Sequence, residues 1–64
     1  MRLITDTELA SRTDVELAVL FQVASEALAS AKPGTQERRD TIASLQNIGR
    51  ERARRHRQPR PPGL

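Results

Sequence analysis

Along residues 14 to 31, Leu17, Leu20, Phe21, Ala24, Ala27, Leu28 and Ala31 recur at the i, i+3, i+4, i+7 spacing of one helical face. This predicts a long helix over about 14–31. Lys32-Pro33-Gly34 ends it, because proline disfavours helical geometry in the residue before it and glycine accepts a turn. A second periodic segment follows, with Ile42, Leu45, Gly49 and Ala53 on one face and Ile48 on its flank. Thr35 is placed to cap it, so the third helix is expected over about 35–55.

The start of the chain adds a short helix over about 5–11. The pattern T-D-x-E-L-A occurs twice, at residues 5–10 and 13–18, so that Thr5/Glu8 and Thr13/Glu16 each set a threonine three residues before a glutamate. This is the spacing of a capping box, in which the hydroxyl accepts from a backbone N–H and the carboxylate accepts from the threonine's own. Asp6 and Asp14 add negative charge where a helix start favours it. The fold class expected is all-α: a small three-helix domain, a short helix followed by a long helical hairpin, over residues 1–57. The Pro/Arg-rich residues 58–64 are expected to form a disordered basic tail.

Gly49 in a helix interior costs ~1 kcal/mol relative to Ala, which predicts that it allows a close approach to the alanine-lined face of the second helix. A further apolar row, Val15, Val19 and Val23, lies opposite Leu17, Ala24 and Leu28 at 100° per residue. Leu3, Ile4 and Leu9 are available to fold over part of it. A helix as short as the first cannot cover three turns, and whatever it leaves bare is a candidate protein-binding surface.

Composition narrows the function classes. A 64-residue chain without cysteine, with a single His56, offers no disulfide framework, no thiolate and no metal shell, so no metal or cofactor is expected. Its serines and threonines fall at helix caps and surfaces, and no glycine-rich loop follows a strand, so the chain is not expected to be an enzyme. MRLITDTEL lacks the apolar stretch of a secretory signal, and no uncharged run approaches the ~20 residues that span a bilayer. The expected location is cytoplasmic, away from membranes.

The net charge of +3 is unevenly spread: residues 1–49 hold five basic and seven acidic side chains, and residues 50–64 hold six arginines against Glu51. Arg50, Arg54, Arg55 and Arg57 are therefore candidates for contact with nucleic acid or an acidic partner. At helical spacing Arg50, Arg52, Arg54, Arg55 and Arg57 scatter around the circumference, and Phe21, the single aromatic residue, is assigned to the core face, so no base-stacking platform accompanies them. A helix-turn-helix reading would begin its recognition helix with Asp14 and Glu16, of the wrong sign for phosphate.

The stretches LITDTELASRTDVELAVLFQVASEALA and PGTQERRDTIASLQNIGRERARR together resemble the QseM-type quorum-sensing antiactivators carried on alphaproteobacterial integrative and conjugative elements, across residues 2–55. That resemblance implies a helical, stoichiometric inhibitor. It would bind transcriptional activators, among them a LuxR-type acyl-homoserine-lactone receptor, and keep conjugative transfer off. It carries no residue map. The partner-binding residues expected from the apolar pattern are Val15, Val19, Val23 and Ile48, with the basic segment steering association and weak homodimerisation as a further expectation. The alternative function is a DNA-binding accessory regulator that uses the arginine-rich C-terminus.

Overall fold

A computed structural model describes residues 1–56. It contains three helices, α1 (Asp6–Ala10), α2 (Asp14–Ser30) and α3 (Gln36–His56), as the hydrophobic pattern predicts to within a residue or so at each end. The expected tail, residues 58–64, lies outside the described residues.

The helix starts follow the threonine chemistry, with one difference. At α2 the box is complete: the Glu16 N–H donates to Thr13 Oγ1 at 3.1 Å and the Thr13 N–H donates to Glu16 Oε1 at 3.0 Å. At α1 only half of it forms, the Glu8 N–H donating to Thr5 Oγ1 at 3.3 Å. The Glu8 carboxylate is taken instead by a two-pronged contact from Arg2, at 2.7 and 2.8 Å, a geometry a guanidinium makes more readily than a backbone N–H can.

The α2–α3 turn also forms as expected. Gly34 has φ +79°, the left-handed conformation that glycine adopts without strain. Thr35 accepts from the Arg38 N–H at 3.2 Å and donates to the Lys32 carbonyl at 2.7 Å, closing the turn while capping α3. The turn lays α3 along α2, and α1 packs chiefly on α3. Ile4, Leu9, Leu17, Ala24 and Ile48 form the buried core, with Met1, Leu20 and Leu45 packed against it.

The face of α3 that enters this core is not the one its apolar residues mark. Thr41, Ser44, Ile48 and Glu51 are buried, while Ile42 and Ala53 are exposed, a rotation of about one residue from the expected Ile42, Leu45, Gly49, Ala53 row. The small hydroxyl side chains can be buried because each donates to the carbonyl one turn back: Thr41 Oγ1 to Glu37 O and Ser44 Oγ to Asp40 O, both at 2.7 Å. Phe21 is likewise displaced from the core face. It is 38% exposed at the edge of α2, with the Arg52 guanidinium 5.7 Å from its ring centre.

Gly49 does not mediate a close approach. A Cβ placed on it would meet nothing within 4 Å. Its helix penalty therefore has no compensating contact, and Gly49→Ala is expected to raise the unfolding free energy by ~0.5–1 kcal/mol in chemical denaturation.

Residues 1–5 form an extended strap on α3. The Ile4 N–H donates to Ser44 Oγ at 2.9 Å, and Asn47 Nδ2 donates to the Ile4 carbonyl at 2.9 Å. Both main-chain groups of Ile4 are thereby satisfied as its side chain enters the core, and the amino terminus reaches Glu37 at 3.3 Å.

Candidate interaction surface

The capping box that starts α2 at Thr13 sets the register of the valine row. With Leu17 and Ala24 turned fully into the core, Val15, Val19 and Val23 must point to the other side of α2. They are 74%, 56% and 46% exposed. Leu3, Ile4 and Leu9 do not cover them, because the strap binds Ser44 and Asn47 of α3 and α1 packs chiefly on the same helix. At its N-terminal end the row deepens into an apolar hollow of about 270 Å³ lined by Arg12, Val15, Glu16, Val19 and Leu20. Arg12, which donates to Glu16 Oε2 at 3.2 Å, gives that hollow a polar rim. The apolar row alone did not single out Arg12 or Leu20. Their signal is spacing: Leu20 is the neighbour of Val19, and Arg12 lies three residues before Val15.

Ile48, expected on the flank of the α3 row and as a partner-binding residue, is instead fully buried. The rotation of α3 that buries Thr41 and Ser44 brings Ile48 to the centre of the core, so it belongs to the packing and not to an exposed face.

The arginines of α3 are also placed differently from a free basic cluster. Arg50 donates to Asp6 at 3.3 Å, joining α3 to the start of α1. Glu51, 8% exposed, accepts from Arg54 at 2.6 and 3.2 Å and from Arg55 at 2.8 Å. Arg55 also donates to Asp14 at 2.8 Å and to the Leu9 carbonyl at 3.1 Å, so one side chain ties the end of α1, the start of α2 and the end of α3 together. This hub was not visible in the sequence, since it depends on contacts more than forty residues apart. Arg57 lies outside the described residues.

Hydrogen bonds from Arg54 and then Arg55 hold the Glu51 carboxyl down at about 2. A carboxyl depressed in the folded state contributes stability that is fully present above its ordinary value, near 4.5, and is lost as the pH falls through about 2. Glu8, half-buried and held down chiefly by Arg2, and Glu16, exposed and held down chiefly by its bonds with Thr13, act in the same direction. Thermal unfolding followed by circular dichroism at pH 7, 4.5 and 2.5 is therefore expected to show the midpoint falling mainly below pH 4.5. In Glu51→Gln that fall should be visibly smaller.

Among the described residues no group of three His, Cys, Asp or Glu side chains is placed to hold a metal ion. No helix there is long and apolar enough to cross a membrane. The surface chemistry described is thus an apolar row with a polar rim on α2, and internally paired charges on α3. Comparison of the chain with protein-family models, with curated proteins and with solved structures finds no match.

Proposed function

We propose that the chain is a small antiactivator that works by binding, in the cytoplasm, with the valine row of α2 as its contact surface. The observation that carries this reading is the exposure of Val15, Val19 and Val23 in consecutive turns of a helix whose other side is fully committed to the core. An apolar row with charged edges suits a partner that supplies an apolar groove or a second helix. Following the resemblance across residues 2–55, the partner class is a transcriptional activator, in particular a LuxR-type quorum-sensing regulator controlling transfer of a conjugative element. Steric capture needs no chemistry of its own.

The DNA-binding alternative draws less support, because Arg50, Arg54 and Arg55 each already hold a carboxylate of the same chain. Binding phosphate would require breaking those pairs. The test of that alternative is removal of residues 57–64, which leaves Arg55 in place. DNA binding through the terminal arginines would be lost, whereas activator capture should be retained.

Val19→Asp/Val23→Asp tests the surface itself. The helical circular-dichroism signal should persist, and inhibition of a LuxR-type activator in a reporter assay should fall by about 100-fold or more in effective concentration, the equivalent of ~3 kcal/mol. A folded double variant that inhibits as well as the parent would rule out the valine row.

A further inference from the structure

The same face of α2, together with Arg12 just before its Thr13 cap, carries a charge pattern that matches itself. Arg12 and Glu26 are each seven residues from Val19 in opposite directions, and Val15 and Val23 are each four residues away. At 100° per residue Glu26 falls between Val15 and Val19 on the helix circumference, and Arg12 lines the hollow beside those two valines. A second copy laid antiparallel, with its two-fold axis at Val19, sets Val19 against the partner's Val19 and Val15 against the partner's Val23. It brings Arg12 to the partner's Glu26 at both ends of the contact, and sets Glu16 against the partner's Gln22, so no like charges oppose one another. An interface that meets itself in this way closes as a dimer and leaves no free end.

We propose that this chain forms an antiparallel homodimer through α2, closed at each end by an ion pair between Arg12 and the partner's Glu26. The charges are available for it. Glu26 is exposed and its carboxylate has no partner among the described residues. Arg12 donates to Glu16 through Nη1 alone, which leaves the rest of its guanidinium for a second carboxylate. Three partly exposed valines per copy make a contact at the small end of specific interfaces, so the dimer is weak and reversible. It also covers the residues on which activator capture is proposed to depend. Dimer and complex are then mutually exclusive, and self-association sets how much of the chain is free to inhibit. The dimer itself does not rest on the activator reading, since its chemistry lies wholly within this chain.

The experiment is sedimentation equilibrium of the purified full chain, alone, from micromolar to millimolar concentration, with circular dichroism to confirm folding. The expected mass rises from 7.2 kDa towards twice that value. Glu26→Arg opposes two arginines at each end, and Arg12→Glu opposes two glutamates, so each single reversal should weaken the dimer tenfold or more. The double variant Arg12→Glu/Glu26→Arg rebuilds both pairs with the signs exchanged and should recover the dimer. Glu26→Arg sits on an exposed helix surface, and Arg12→Glu exchanges an exposed pair with Glu16 for a weak, exposed like-charge contact, so neither change threatens the fold. A mass that stays at one chain throughout, single reversals that dimerise like the parent, or a double variant that stays monomeric would each overturn the proposal. No activator is present, so a negative result leaves activator capture standing.

Discussion

Ile48→Asp is expected to abolish the fold. Ile48 is fully exposed to the core and not at all to solvent, packed with Leu9, Leu17 and Ala24 where α3 meets the other elements. Replacement removes ~1.5–3 kcal/mol of buried apolar side chain and puts a carboxylate where no cation of the core can reach it. A loss above ~4 kcal/mol belongs to this kind of change. At ~0.05–0.15 kcal/mol per residue, a 64-residue chain has only about 3–10 kcal/mol in total. The variant should therefore show little helical signal at 25 °C and no cooperative thermal transition. Val19→Asp, the same chemical change on the exposed row, should leave both intact. If Ile48→Asp folded like the parent, the rotation of α3 described above would be wrong.

Ser44→Ala is expected to release the amino-terminal strap. Ser44 is fully buried, and its oxygen accepts the Ile4 N–H at 2.9 Å while its hydroxyl proton goes to Asp40 O. Alanine fills nearly the same space but leaves the buried Ile4 amide without an acceptor, a cost of ~1–3 kcal/mol. Because Asn47 still holds the Ile4 carbonyl, the loss falls first on residues 1–5 and on the seating of Ile4 in the core. Hydrogen exchange should register it as faster exchange at the Ile4 amide, by about 10-fold or more, together with a lower global midpoint. Unchanged exchange at Ile4 would mean that the strap is held by its side chain and not by Ser44.

These two residues mark where the sequence was readable and where it was not. The threonine–glutamate spacing located both early helix starts, and Lys32-Pro33-Gly34 located the turn, since caps and turns are built from neighbours in sequence. The valine row was legible for the same reason: with Leu17 and Ala24 assigned to the core, its position opposite them follows from helix geometry alone. The orientation of α3 did not follow. Its apolar residues are few, and the choice between two neighbouring faces was decided by Thr41 and Ser44. Their hydroxyls can be buried because carbonyls one turn back accept from them, and an apolarity pattern does not register that option. Apolarity alone therefore leaves Ile48 on the flank of α3, where the structure buries it. In sequence Glu51, Arg54 and Arg55 read as part of a basic segment, whereas the structure uses them to join three helix ends.

The consequence for function is a sharper separation of roles. The charged end of α3 and the strap hold the domain together, whereas the outer face of α2 is left with apolar side chains that the fold does not use. Both the proposed activator contact and the proposed dimer depend on that face, and they differ in what meets it.

Whether the valine row is the contact surface is read directly by methyl NMR of the full chain, titrated with a purified LuxR-type receptor loaded with its acyl-homoserine lactone. The methyl signals of Val15, Val19 and Val23 should shift or broaden at substoichiometric receptor, while those of the buried Leu9 and Ile48 stay in place. Unperturbed valine methyls at saturating receptor, with changes confined to the arginine-bearing end of α3, would show that the partner binds elsewhere than on the valine row.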